Sequence, residues 1–372
     1  MRDIKDIRLD INKVDSELKK LFLQRMEYVE QVREYKEATN TPVKNKGREA
    51  DILKSKLEGV ENFRGETAEF FKSMIEISCN YQDERLSNQH LSDIFVEIDN
   101  DEYFNKISKV CYQGIKGSYS HEIATKYFAN KEILSVNTFR EVVDAVLSEE
   151  CDIGILPIEN LSMGCVSDVY DLMLENDVYI THCSGLEIKH CLAGLGNIED
   201  IKNVISHPQA LGQCSSYIEN YNFLKHECTN TAVAAKMVAQ GNDKSTAAIC
   251  SETSAELYGL NILDNNISNI GDNVTKFIFI SKKPLKVADA DMVSIIFTIK
   301  HEAGSLARVL NDFAKNDINM TKIESRPSKD SEWEYVFYVD LVVPDFDIVK
   351  YFSRIRYMFE DFKISGIYNT LG

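Results

Sequence analysis

KVCYQGIKGSYSHEIATKYFANKEILSVNTFREVVDAVLSEECDIGILPIEN, residues 109–160, alternates two apolar patterns. KVCYQ, ILSV and DIGILPI are short, dense apolar runs, whereas SHEIATKYF and FREVVDAVLSEE place their apolar residues at helical spacing. Strand, helix, strand, helix, strand is the grammar of an open parallel sheet. The alternation resumes with KNVISHP at 202–208 and ALGQCSSYIENY at 210–221. Residues 109–283 therefore suit two small α/β lobes with a cleft between them.

Towards the N-terminus the period changes. Ile4, Ile7, Ile11, Val14, Leu18, Leu21, Val29 and Val32 follow a three-four spacing, unbroken until Asn40 and Pro42. The seam predicts one helix far longer than the usual ~11–12 residues, and such a helix needs a long partner. A second helix is expected from Lys46 to Leu57 and a third from Glu66 to Leu86. Residues 1–90 thus form an all-helical domain, and 91–108 read as a linker. Arg25 falls where the seam should be apolar, and a buried guanidinium is costly without a counter-anion. Lys36 shares its face. Arg8 is 17 positions from Arg25, about 25 Å along a helix. One small ligand reaches both only if Arg8 comes from a second chain, so the seam predicts an intertwined dimer. Ser78 and Gln82 continue the face of Phe71 and Ile75.

Towards the C-terminus, VSIIFTI, GSLARVLNDFAKND, NMTKIESRP, EYVFYVDLVV, FDIVKYFSRIRYMFED and FKISGIYNTL give a β-α-β-β-α-β order over 292–372. That is a ferredoxin-like unit, small enough to suggest regulation or an interface.

The chain of 372 residues carries a formal net charge of −17. Such a surface repels nucleic acid and anionic membranes, so an anionic substrate needs cations gathered locally. The nine cysteines form no CxxC pair and read as reduced thiols of a cytoplasmic protein, while the seven histidines form no metal-binding motif. The charged start lacks the apolar core of a signal peptide, and no run approaches the ~20 apolar residues of a membrane span.

Several strands of the middle segment end in polar groups. ILPIEN ends in Glu159 and Asn160; ISHPQALGQC places Ser206, as candidate cap, and Pro208 at a strand-to-helix junction; YQGIKGSYS offers Ser120 as cap. DNVTKFIFI, residues 272–280, puts Thr275 and Lys276 before an apolar run. Ligands of open α/β sheets bind at such strand ends.

Three resemblances follow from these motifs. IRLDINKVDSELKKLFLQR, Lys36, PVKNKGRE and IEISCNYQ resemble the all-helical chorismate mutases across residues 1–85. YQGIKGSYS, PIEN, GCVSDVYDLM, SHPQALGQC, TAVAA, AAICSETSAELYGLNIL and NVTKF resemble prephenate dehydratase, in order. HEAGSLARVL and KIESRP resemble the ACT-type regulatory domain of the same enzymes. Together they resemble the bifunctional chorismate mutase/prephenate dehydratases. The resemblance implies that Arg25 and a partner's Arg8 bind the carboxylates of chorismate. Lys36 and Gln82 would flank its ether oxygen, with Asn45, Arg48, Glu49 and Ser78 completing the wall. In the dehydratase it implies Thr275 as the catalytic hydroxyl, with Glu159, Asn160, Ser206, Gln213, Thr231 and Lys276 contacting prephenate. Phenylalanine would inhibit from a site at Gly304, Leu306 and a partner's Glu324, Ser325 and Arg326, in a homodimer or homotetramer. No cofactor or metal is implied. Three departures stand out. Asn45 replaces an aspartate, Lys276 replaces an arginine, and Leu161 occupies a place usually held by serine, with Ser162 next. Two alternatives stay open: a dehydratase with a silenced mutase domain, and a non-catalytic aromatic-acid sensor.

Overall fold

The computed structural model describes residues 2–39, 41, 43, 46–86, 94–269, 271, 273–327, 335–343 and 345–372. Its chain divides into two compact units: 1–93 with 299–309 and 346–360, and 94–298 with 310–345 and 361–372.

In the first unit, α1 (Ile4–Thr39), α2 (Lys46–Leu57) and α3 (Arg64–Leu86) are the three helices the spacing predicts. Val29 is the one buried residue of α1. Its apolar seam lies open: Ile4, Ile11, Val14, Leu18 and Leu21 are 44–61% exposed.

The second unit opens with β1 (Val96–Ile98) and α4 (Asn100–Lys106), where a linker was expected. Both are tied down. β1 pairs in parallel with β13 (Leu285–Val287), and the buried Tyr103 hydroxyl lies 2.6 Å from that of Thr181. Low periodicity hid these elements, because three strand residues and seven helical ones are too few to show a period.

The first lobe contains β2 (Lys109–Gln113), α5 (Tyr119–Phe128), β3 (Glu132–Val136), α6 (Phe139–Leu147), β4 (Ile153–Asn160), β5 (Gly164–Cys165), α7 (Ser167–Glu175) and β6 (Tyr179–Glu187). The chain then builds a second lobe from β7 (Cys191–Gly194), β8 (Asn203–Ser206), α8 (Pro208–Gln213), α9 (Ser215–Asn220), β9 (Leu224–Glu227), α10 (Thr231–Gly241), β10 (Thr246–Cys250), α11 (Glu252–Leu257) and β11 (Asn261–Asp264). It returns to the first lobe as β12 (Val274–Ser281). The second lobe is a five-stranded sheet in the order β11-β7-β10-β8-β9. The first is mixed rather than parallel. β2 pairs in parallel with β3 and β4, but β12 inserts antiparallel between β4 and β6. The excursion through the second lobe reverses the strand that returns.

After β13 come β14 (Met292–Thr298), α12 (Ser305–Lys315), β15 (Met320–Pro327), β16 (Tyr335–Val342), α13 (Ile348–Ile355) and β17 (Phe362–Leu371), the expected ferredoxin-like order. These strands do not form a separate sheet. β17 pairs in parallel with β6, so one path runs β15-β16-β14-β17-β6-β12-β4-β2-β3. The core is continuous across that seam: Tyr170, Ile180 and Ile278 cluster with Ile296, Val336, Tyr338 and Tyr368.

Candidate active sites

The first unit gathers polar groups between α1 and α3. The Arg25 guanidinium donates to the Ser78 hydroxyl and, at 3.4 Å, to the Met74 carbonyl. Gln82 is buried; its Nε2 donates to the Ser78 carbonyl at 3.0 Å. Its Oε1 has no hydrogen-bond partner among the described residues. A buried amide oxygen in that state costs about 1–3 kcal/mol, which a ligand able to donate to it would recover. The Lys36 ammonium donates to the Val43 carbonyl at 2.6 Å. Arg8 and Arg48 are exposed. Asn45 and the Glu49 side chain lie outside the described residues.

In the second unit, β4 and β12 bring Asn160 and Thr275 into direct register. Asn160 Nδ2 donates to Thr275 Oγ1 at 2.9 Å and to Asn273 Oδ1 at 2.8 Å. The orientation of this amide is fixed by its other end. Asn160 Oδ1 accepts from the backbone N–H groups of Ser162 and Met163, both at 3.1 Å, and only an oxygen can do so. Ser162 Oγ donates to Asn273 Oδ1 at 2.8 Å. The serine one place late thus joins this network, while Leu161 points to solvent, 68% exposed. The amide donating to Thr275 Oγ1 favours the charge that would build there and leaves the threonine proton free to act elsewhere.

Lys276 is not beside that hydroxyl. Successive side chains of a strand point to opposite faces, and the Lys276 ammonium lies 3.3 Å from Asp340 of β16. Glu159, its register partner, turns the same way and pairs with Lys322 of β15 at 2.9 Å. The expectation that Lys276 and Glu159 contact prephenate beside the Thr275 hydroxyl does not fit this geometry.

The second-lobe candidates sit at the carboxyl ends of the parallel strands β8 and β9. Ser206 is wholly buried and donates to the Ile249 carbonyl at 2.6 Å. It does not cap α8; His207 does, accepting from the Gln209 N–H at 3.3 Å. Likewise Ser118, not Ser120, caps α5. Thr231 opens α10 behind its cap Asn230. Gln213 ends α8, and its Oε1 lies 3.0 Å from His190 Nε2. His190 Nδ1 lies 3.1 Å from the Tyr119 hydroxyl of the first lobe. Burial lowers the His190 pKa, with the Gln213 contact opposing. A neutral ring donates through one nitrogen and accepts through the other. With Nε2–H donating to Gln213 Oε1, Nδ1 can only accept, and the single Tyr119 proton is divided between Nδ1 and the Lys189 carbonyl, 3.0 Å from the hydroxyl. The Gln213 Nε2 group is then buried and unpartnered among the described residues, a donor awaiting an anion.

The comparisons with known proteins run parallel to this geometry. Family models match for chorismate mutase type II at residues 7–83, prephenate dehydratase at 110–285 and the ACT domain at 293–345. The bifunctional chorismate mutase/prephenate dehydratase of Aquifex aeolicus is 33% identical over 92% of this chain and 90% of its own length. The chain belongs to the bifunctional chorismate mutase/prephenate dehydratase family. The Escherichia coli K12 member is 30% identical over 90% of this chain and 87% of its own. The crystal structure of the Staphylococcus aureus prephenate dehydratase is 28% identical with a TM-score of 0.62, covering 70% of this chain and all of that one. This bifunctional enzyme rearranges chorismate to prephenate and converts prephenate to phenylpyruvate. Both catalytic family models match and both activities stand in the relatives' names, which favours the bifunctional reading over a silenced mutase and over a sensor.

Sequence reasoning missed Asn273, His190, Tyr119 and Asp340. Asp340 had a signal: it is a carboxylate inside the apolar run YVFYVDLVV, where a buried charge demands a partner. Asn273 and Tyr119 lay inside the quoted motifs NVTKF and YQGIKGSYS, which were their signal; His190 had none, since its side-chain partners Gln213 and Tyr119 are distant in sequence.

Proposed function

We propose that two separate sites divide the chemistry. The mutase site lies in residues 1–90, where Arg25, Lys36, Arg48, Ser78 and Gln82, with Asn45 and Glu49, join Arg8 of a second subunit. It holds chorismate in its compact conformer while the ether C–O bond breaks and a C–C bond forms within the same molecule. The charge building on the ether oxygen is met by the Lys36 ammonium and by the second N–H of Gln82 Nε2, the first being given to the Ser78 carbonyl. The exposed seam of α1 supports a homodimer or homotetramer built on that helix.

The dehydratase site lies in residues 109–283. As the ring carboxylate of prephenate leaves as CO2, its bonding electrons complete the aromatic ring and the C–OH bond breaks. Thr275 donates its proton to the departing hydroxide, giving water, and is reprotonated from solvent; one proton is consumed per turnover. The Asn160–Thr275 hydrogen bond is the observation that carries this role. Gln213, with Ser206 and Thr231, holds the substrate from the second lobe. Phenylalanine acts as feedback inhibitor through residues 292–372, with Gly304, Leu306, Glu324, Ser325 and Arg326 as the groups to test. The nine free thiols accord with a cytoplasmic enzyme.

Feeding the protein chorismate tests the division. Thr275→Ala is expected to accumulate prephenate, with dehydration slowed about 10²–10⁴-fold. Normal phenylpyruvate formation by that variant would remove the hydroxyl from the mechanism. Arg25→Ala is expected to stop chorismate consumption yet leave added prephenate a good substrate; joint loss of both activities would contradict separate sites.

A further inference from the structure

Thr275 and Asn160 form the catalytic pair on one face of the β12–β4 ladder. The next pair of that register, Lys276 and Glu159, turns to the opposite face, and each is held there by a residue of the C-terminal strands. Lys276 meets Asp340 of β16 at 3.3 Å. Glu159 lies 2.9 Å from Lys322 of β15, at ion-pair distance though not aligned as a hydrogen bond. The two contacts have opposite polarity, so the lysine and the carboxylate of the β12–β4 ladder each meet the complementary charge of the β15–β16 ladder.

Asp340 is itself immobilised. Its Oδ1 accepts from Ser294 Oγ of β14 at 2.5 Å, and Ser294 Oγ lies 2.9 Å from the Tyr368 hydroxyl of β17. Three strands thus fix one carboxylate against one ammonium. Lys276 is 29% exposed and Asp340 18%, partly withdrawn from water, where an ion pair is stronger than on an open surface. Burial is the largest influence and opposes the charge on Lys276, but Asp340 together with Cys183 and Glu159 outweighs it and raises the lysine pKa. A third contact follows the same seam, from Arg326 to Asp171 of α7 at 3.7 Å.

We propose that Lys276–Asp340 and Glu159–Lys322 form a two-point clamp by which the C-terminal sheet sets the geometry of Asn160 and Thr275. Lys276, Glu159, Asp340 and Lys322 are positioning residues of the dehydratase, and none of them contacts prephenate. This rests on the dehydratase role of Thr275 given above. It also makes the seam a mechanical route from the C-terminal domain to the catalytic strand.

The test separates positioning from substrate contact. Lys276→Met and Asp340→Asn are each expected to lower kcat for prephenate about tenfold, since small misplacements of a reacting group are costly. Their KM should stay within about threefold, the signature of lost transition-state geometry rather than lost binding. The double variant should be no worse than either single one, as for residues that act as a unit. Hydrogen exchange at the amides of residues 274–277 should quicken in all three without any ligand. Chorismate consumption is expected to stay normal, and a cooperative thermal transition reports folding. Should Asp340→Asn fail to fold, Lys276→Asp combined with Asp340→Lys restores the pair in reverse and is expected to recover kcat. A tenfold rise in KM for Lys276→Met, with Asp340→Asn unchanged in both constants, would make the lysine a substrate contact and overturn the clamp. Unaltered exchange at 274–277 would overturn it as well. Failure of the Thr275 role shows differently: Thr275→Ala would stay active while the clamp variants still changed exchange.

Discussion

At the scale of single residues, the dehydratase depends on which atom faces which. Asn160 has its amide orientation dictated by two backbone donors, so its contact with Thr275 needs no choice between rotamers. Gln213 lacks such an anchor and takes its orientation from His190, and His190 from Tyr119. Replacing His190 with Leu frees the Gln213 amide to rotate and strands a buried group, a cost of about 1–3 kcal/mol. The expected result is a fall in kcat/KM for prephenate of about 5–140-fold. Chorismate turnover by the same chain should be unaltered, and steady-state assays with each substrate check both halves. Much of this was legible beforehand. The residue types at the ends of ILPIEN, ISHP and NVTKF marked the strand termini, and Thr275 and Asn160 do meet. The role of Lys276 was not legible, because its partner Asp340 is 64 positions away.

At the scale of elements, strand and helix geometry decides which residues cooperate. In β12 the alternation of a strand separates Thr275 from Lys276, although they are adjacent in sequence. In α1 the helical period gathers Ile4, Ile11, Val14, Leu18 and Leu21 into an exposed stripe. Burying one such leucine is worth about 1.5–3 kcal/mol. Leu21→Asp is therefore expected to weaken assembly through this helix, lowering the mass seen by sedimentation equilibrium. Mutase activity should fall with it, because Arg8 would lose its partner site, while dehydration of added prephenate persists. An unchanged mass with full mutase activity would leave the stripe without its proposed role. The long helix was plain from its period, but β1 and α4 were not. They are held by β13 and by the Tyr103–Thr181 contact, which are tertiary.

At the scale of the molecule, one sheet path joins the dehydratase strands to the C-terminal strands, and a buried histidine sits within it. His182 on β6 is wholly buried, with Nε2 3.0 Å from Asn100 Oδ1 and its ring against Tyr103. Desolvation lowers its pKa from 6.5 to about 4. Above pH 6.5 both folded and unfolded states are neutral there, and no penalty arises. As pH falls towards 4 the unfolded chain takes up the proton and the folded one does not, so stability declines. The full loss is about 3 kcal/mol, at about 1.4 kcal/mol per pKa unit. Urea midpoints measured between pH 7 and pH 4 should fall more steeply for the natural protein than for His182→Gln, and parallel curves would assign the acid sensitivity elsewhere. By itself, the sequence determined what local periodicity and local chemistry can encode: a long helix with cations in its seam, α/β repeats with hydroxyls and amides at strand ends, and a terminal β-α-β-β-α-β unit. The tertiary structure alone decided that β12 runs antiparallel, that Lys276 faces Asp340 and that the last domain's strands extend the catalytic sheet. Those outcomes depend on pairings between segments far apart in the chain, and a period of two or of 3.6 residues says which face a side chain takes but never which strand will lie beside it.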